Sequence, residues 1–137
     1  MELADIPNQF ARLTTVDWQI IRETARGLYV EVGTFHGASA CAALLGNTDC
    51  VITIDIYDWQ PKVWDLECAA ELEPKIAQGR LHPYIRQTSV DFAGNRAHDY
   101  GDYRFVDTLF IDGSHEYDSV LKDCEALVPR VKPGGVI

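Results

Sequence analysis

The sequence predicts an α/β protein built on a doubly wound parallel sheet, and three observations carry that expectation. Three short runs, Leu28 to Val32, Val51 to Ile54 and Val106 to Ile111, are rich in apolar and β-branched residues and read as strands, the first buried on both faces. Segments of helical character lie between them, the alternation that builds a parallel sheet with crossover helices. The first run then turns through Gly33 and Gly37 into Ala38-Ser-Ala-Cys-Ala-Ala-Leu-Leu45, a small-residue stretch that reads as a tightly packed helix. A buried strand turning through glycines into a helix presents backbone N–H groups to a ligand, so this corner is expected to bind a nucleotide. A side chain at those glycines would block the ligand or forbid the turn.

Length and charge narrow the classes. The chain has 137 residues, enough for one domain, and a net charge of −9, which argues against nucleic acid or an anionic membrane surface as partner. No apolar run approaches the roughly 20 residues that span a bilayer. The opening Met1-Glu-Leu-Ala-Asp5 is acidic where a secretory signal would be basic. Cys41, Cys50, Cys68 and Cys124 lack the spacing of a metal finger or redox pair, so reduced thiols in a cytoplasmic protein are expected, with a disulfide left open.

In chain order, residues 1–27 form a polar lead-in and a covering helix. Thr14 or Thr15 can cap that helix, Gly27 stops it after Arg26, and Val16, Ile20, Ile21 and Thr24 form its inward stripe over one edge of the sheet. The second strand ends in Asp55, and a helix starting at Pro61 or Lys62 is expected to break or kink at Pro74 and end by Gly79. Its apolar positions are Val63, Trp64, Leu66, Cys68 and Leu72; Tyr57, Trp59 and Trp64 could flank an adenine or an acceptor, but aromatics there are at least as often packing, and they are left out of the site. Leu81 to Arg86 is a weak strand, peripheral because Pro83 interrupts it, and Ser89 is a plausible N-cap of the short helix that follows. After the strand ending at Ile111, Asp112-Gly113 turns into a helix from Glu116 to Val128, with Val120, Leu121, Cys124, Leu127 and Val128 as its buried stripe. Residues 130–135 read as a turn, and Val136-Ile137 as the start of a fifth strand.

The ligand corner has its own chemistry. A dinucleotide fingerprint needs a glycine two residues before Gly33; this chain has Glu31 there, a carboxylate that repels a pyrophosphate and attracts an ammonium or sulfonium centre. Asp55 lies 22 residues after Gly33, close to the distance of about 20 at which an acidic residue accepts hydrogen bonds from ribose hydroxyls in such folds.

Glu31-Val-Gly-Thr-Phe-His-Gly37, Asp55, and Asp112-Gly-Ser-His-Glu-Tyr117 with the later Val131-Lys-Pro-Gly-Gly135 together resemble class I S-adenosylmethionine-dependent methyltransferases. The resemblance spans residues 28–137 and points to the branch of macrocin and cephalosporin-biosynthesis enzymes, with catechol and caffeoyl-CoA O-methyltransferases more distant. It implies a Rossmann-like sheet of strand order 3-2-1-4-5, with S-adenosyl-L-methionine at the carboxyl ends of the strands. It places Glu31, Gly33, Thr34, Gly37 and Ser39 around the methionine part of the cofactor, Asp55 at the ribose and Ser89 at the adenine edge, where a bare capping serine is the competing reading. Asp112 matches a residue that holds a divalent cation, here Mg2+, in metal-dependent relatives, and His115 one that handles the acceptor proton. The implied reaction is O-methylation of a small-molecule or sugar-containing metabolite. His36 is read as shape-filling or backbone-bonded.

The sequence stops at Ile137, inside the expected fifth strand, so the final strands of that fold and any further metal ligands are expected to be missing. An exposed sheet edge would then favour a homo-oligomer. Two other readings stand beside the enzyme: a cofactor-binding module without catalysis, and a nicotinamide-dependent oxidoreductase of the same strand order, against which Glu31 argues.

Overall fold

A computed structural model describes residues 2–3, 13–56, 69–94 and 105–137. Its helices are α1 (Thr15–Thr24), α2 (Ala38–Leu44), α3 (Ala69–Ala77), α4 (Ser89–Gly94) and α5 (Tyr117–Leu127), and its strands β1 (Arg26–Val32), β2 (Asn47–Asp55), β3 (Leu81–Arg86), β4 (Val106–Ile111) and β5 (Val131–Val136). The strands form one sheet in the order β3-β2-β1-β4-β5, every neighbouring pair parallel, which is the order the sequence implied.

Alternation explains why the central runs are apolar throughout. Tyr29 and Val51 point to the face shared with Trp18, Ile21 and the whole of α2, while Val30, Val32, Ile52 and Ile54 point to the face closed by Phe92 and Leu127. A strand buried on both faces has no solvent side on which to place polar residues. The alanines of α2, all buried, let that helix lie close to the sheet. β3 sits at the edge, where Pro83 costs no ladder bond with an outer neighbour.

Several boundaries differ from the sequence reading. Thr14 caps α1 through a reciprocal pair with Asp17, but the helix ends at Thr24 and the chain is already in β1 at Arg26. Gly27 is therefore a strand residue and not a helix stop; a Cβ on it would lie 2.4 Å from Asp107 Oδ2. The inward face of α1 is Trp18 and Ile21 with the capping Ala25, and it packs on α2 rather than along a sheet edge, leaving Val16 and Ile20 exposed. α3 runs through Pro74, whose carbonyl still accepts from Gln78 N at 3.0 Å, so the expected break is absent. Gly79 ends that helix as expected, at φ +68°. The segment 57–68, with Tyr57, Trp59, Pro61, Lys62, Val63, Trp64, Leu66 and Cys68, lies outside the described residues.

On α5 only Leu127 of the expected stripe is buried; Cys124 is half-buried and Val120, Leu121 and Val128 are exposed, because the helix meets the sheet near its C-terminus, where Ala126 and Leu127 pack. β5 starts at Val131, earlier than expected, and pairs irregularly: Val106 with Val131, then Thr108 with Val136. The predicted turn is thus a bulge of residues 132–135 inside the strand, held by Arg26 Nη2 on the Gly134 carbonyl at 2.5 Å. Cys41, Cys50 and Cys124 are thiols that form no disulfide with one another.

The amino-terminal edge of β1, β4 and β5 is tied together by Asp107. Its Oδ2 accepts from Leu28 N at 2.8 Å and its Oδ1 from Lys132 Nζ at 2.7 Å. Burial pushes its pKa up, but the Lys132 ammonium and the Leu28 N–H outweigh it and hold the group below 3.8. A lowered carboxylate stabilises the fold above its unfolded pKa and loses that contribution as pH falls. Asp107→Ala is therefore expected to cost about 1–2 kcal/mol in urea unfolding at neutral pH, the deficit shrinking below about pH 4. A deficit that stays constant down to acid pH would refute the ionic role.

Candidate functional site

The carboxyl ends of the central strands open into a cleft of about 800 Å³, walled by the β1–α2 turn, the end of β2, the β3–α4 turn and the β4–α5 turn. It stands where the connection reverses between β1 and β4, the place where open α/β sheets take ligands. Gly33, Thr34, Ser39, Asp55, Ser89, Asp112 and His115 all line it. Residues distant in sequence meet there because parallel strands deliver their C-termini to one side.

Two of the sequence-derived residues do not line it. Gly37, at φ +80°, is the left-handed residue that starts α2. Glu31 is fully buried behind the wall, facing α2. Tyr29 Oη donates to its Oε2 at 2.9 Å, and Oε1 is a buried oxygen with no hydrogen-bond partner among the described residues. Burial raises its pKa from 4.5 to about 8; the Ser39 and Tyr29 hydroxyls pull the other way, while the negative charges of Asp112 and Asp55 add to the rise. Burial thus favours the neutral carboxyl over the standing negative charge expected at this position. A cation arriving nearby would restore it.

The turn itself is built on Asp55. Its Oδ2 accepts from Thr34 N at 2.9 Å and Phe35 N at 3.1 Å, so one carboxylate oxygen at the end of β2 organises the loop leaving β1. Phe35 takes φ +47°, a conformation rare outside glycine, and its ring packs against that of His36 with centroids 4.0 Å apart. Gly33 lines the cleft and also makes a close main-chain contact possible. At φ +90°, a Cβ there would lie 2.3 Å from the Asp112 carbonyl oxygen and 2.6 Å from Gly113 Cα. The glycine lets the β1 and β4 exits touch.

On the opposite wall, Thr88 and not Ser89 caps α4: Asp91 N donates to Thr88 Oγ1 at 3.0 Å and Thr88 Oγ1 to Asp91 Oδ2 at 2.8 Å. Ser89 instead donates to Asp123 Oδ1 on α5 at 2.5 Å. Asp112 Oδ1 lies 3.3 Å from His115 Nε2, the imidazole standing exposed at the mouth. Gln87, Thr88, Lys122 and Asp123 also line the cleft and were missed by the sequence reading. No motif signals them, since each arrives from the middle of a helix or the flank of a turn.

A family model described as a methyltransferase domain matches residues 30–137. The chain belongs to the methyltransferase-domain family. Among curated proteins, this methyltransferase domain is similar to the uncharacterized protein R132 of Acanthamoeba polyphaga mimivirus, 27% identical over 143 residues that cover 95% of this chain and 61% of that one. Its fold is shared with an O-methyltransferase from Bacillus cereus in complex with SAH, at TM-score 0.64 and 18% identity over 97% of this chain and 59% of the other. It is shared also with M. capricolum TrmK in complex with S-adenosyl-homocysteine, at TM-score 0.57 and 15% identity over 88% and 50%. The domain thus spans about half to three fifths of the length of these proteins. No helix among the described residues is long and apolar enough to cross a membrane.

The lining suits S-adenosylmethionine. Thr34 and Gln87 line the cleft with buried oxygens that have no hydrogen-bond partner among the described residues, and Glu31 Oε1 lies behind its wall in the same condition. This set matches a ligand bringing a cation and hydrogen-bond donors. Magnesium is another matter. Among the described residues no three side chains of His, Cys, Asp or Glu gather to hold a metal, and Asp112 is paired with an imidazole rather than with further hard oxygen ligands. The expected metal role of Asp112 does not fit the residues present.

Proposed function

We propose that this domain binds S-adenosyl-L-methionine in the cleft and serves methyl transfer to a hydroxyl oxygen of a small-molecule or sugar-containing metabolite. The observation that carries the reading is the Glu31–Asp55–Asp112 constellation of carboxyl groups around the β1 exit, inside the span matched as a methyltransferase domain. Fold relatives that hold S-adenosylhomocysteine support the same cofactor.

In this reading the bound cofactor supplies a methyl group already activated by a sulfonium sulfur. The protein's work is alignment, water exclusion and one proton. Glu31 lies behind the methionine end and balances its cation as a carboxylate. Asp55 keeps Thr34 and Phe35 in place and accepts from the ribose hydroxyls with its remaining lone pairs. Asp112 accepts from the Nε2–H of His115, which selects the tautomer whose Nδ1 carries the free lone pair. Nδ1 takes the proton of the attacking hydroxyl, and the resulting oxyanion is the better nucleophile.

Titration calorimetry of the folded chain with S-adenosylhomocysteine tests the cofactor half. Binding is expected, with Asp55→Ala weakening it by about tenfold or more because both the turn and the ribose contact are lost. Absence of binding, or stronger binding of NAD, would sink the reading. In the natural full-length product, His115→Ala is expected to lower turnover by about a hundredfold while leaving cofactor affinity within about twofold. Asp112→Ala should likewise lower turnover more than cofactor affinity. Unchanged turnover in either variant removes that residue from the mechanism, and cofactor binding without any transfer would mark the protein as a binding module.

A further inference from the structure

We infer that Asp123, midway along α5, is a positioning residue that makes the Ser89 hydroxyl an obligate hydrogen-bond acceptor and so renders the cleft selective for a base bearing an exocyclic amine. The inference rests on the cofactor reading above and goes beyond it in naming what sets the preference for the base.

A serine hydroxyl has one proton to give. Ser89 gives it to Asp123 Oδ1 at 2.5 Å, across the seam between α4 and α5. The hydroxyl is spare for this purpose because Thr88 caps the helix. With its proton committed to a carboxylate, Ser89 Oγ offers only lone pairs to anything in the cleft. Gln87, on the same turn, adds a second acceptor: its Oε1 is buried with no partner among the described residues, and Gln87, Ser89 and Asp123 all line the cleft. Two acceptors at one wall match an amino group, which carries two N–H donors. A carbonyl in that position would set oxygen against the Ser89 lone pairs, and Ser89, unlike the Gln87 amide, cannot rotate a donor into place while Asp123 holds its proton.

The wall cannot move aside to relieve such a mismatch. Phe92 anchors α4 in the core, and Arg130 Nη2 donates to the Ala93 carbonyl near the far end of the same helix. Asp123 therefore acts on the ligand through Ser89, by fixing where one hydrogen atom points.

The test compares S-adenosylhomocysteine with S-inosylhomocysteine, in which a carbonyl replaces the amine, by calorimetry on the folded chain. The wild type is expected to prefer the amine form by about tenfold or more. Asp123→Ala frees the hydroxyl to donate and should reduce the preference to about threefold or less, whereas Asp123→Asn, whose amide oxygen can accept the same proton, should restore most of it. Ser89→Ala leaves α5 untouched and should also flatten the preference, and adding Asp123→Ala to it should change the ratio no further. Equal weakening of both ligands by Asp123→Ala, with the ratio kept, would make the residue merely structural and overturn the inference while leaving the cofactor reading intact. Binding of neither ligand by the folded wild type would overturn both.

Discussion

Glu31→Gln is expected to remove most of the pH dependence of stability of the ligand-free chain and, at the same time, most of its affinity for S-adenosylmethionine. Glu31 titrates near 4.5 in an unfolded chain and near 8 when buried in β1. Folding therefore takes up a proton at this site across that interval. The stabilising state, a neutral carboxyl, is fully present below about pH 4.5 and is lost as pH rises through about 8, so wild-type stability should fall on the order of 2–4 kcal/mol between about pH 5 and about pH 9. Glutamine cannot ionise, and the variant's curve should run flat over the same interval. Urea midpoints at three pH values measure this; parallel curves for the two proteins would exclude Glu31 as the titrating group. Binding reads the same residue from the other side. Near neutral pH, a cationic ligand should expel about one proton from the wild type and none from Glu31→Gln, which calorimetry in buffers of different ionisation enthalpy detects. The stability cost and the ligand preference share one cause, a carboxyl group kept where water cannot reach it.

Gly33→Ala is expected to have the largest effect on the fold. The added Cβ would stand 2.3 Å from the Asp112 carbonyl oxygen and 2.6 Å from both the Asp112 carbonyl carbon and Gly113 Cα, all of them main chain, at a backbone angle of φ +90°. Neither strand exit can retreat, because Gly33 N donates to Ile54 O and Asp112 N to Val32 O, each at 2.9 Å. A loss of about 3 kcal/mol or more follows, a large share of the stability of a domain this size. Gly79→Ala separates the two contributions. That glycine has φ +68° but open space around its Cβ position, so only the conformational cost of about 1–2 kcal/mol applies. Similar unfolding midpoints for the two variants would show that crowding at the β1–β4 exit is unimportant.

Legibility followed the range of the interactions concerned. The central strands were readable because burial on both faces leaves a local signature of consecutive β-branched and apolar residues, and β4 came out residue for residue. Helix stops and stripes were less readable. The α5 stripe has the right spacing, yet Val120, Leu121 and Val128 stay exposed, since periodicity says that a helix has an apolar face and not how far along its length a neighbour covers it. Ser89 was a fair choice for a cap by residue type; Thr88, one position earlier, took the cap and left Ser89 for a partner 34 residues away.

From the sequence alone one could determine that a strand–glycine–helix corner exists, that Asp55 stands at the end of the next strand, and that Asp112 and His115 follow the fourth. Those are statements about neighbours along the chain, and local sterics and burial pattern enforce them. Only the tertiary structure decided that Gly33 yields room to the main chain at Asp112, that Glu31 is buried behind the cleft wall, and that Ser89 answers to Asp123. Each of these depends on which segments the parallel sheet brings side by side, and a desolvation energy or a main-chain collision has no value until the surrounding atoms are in place.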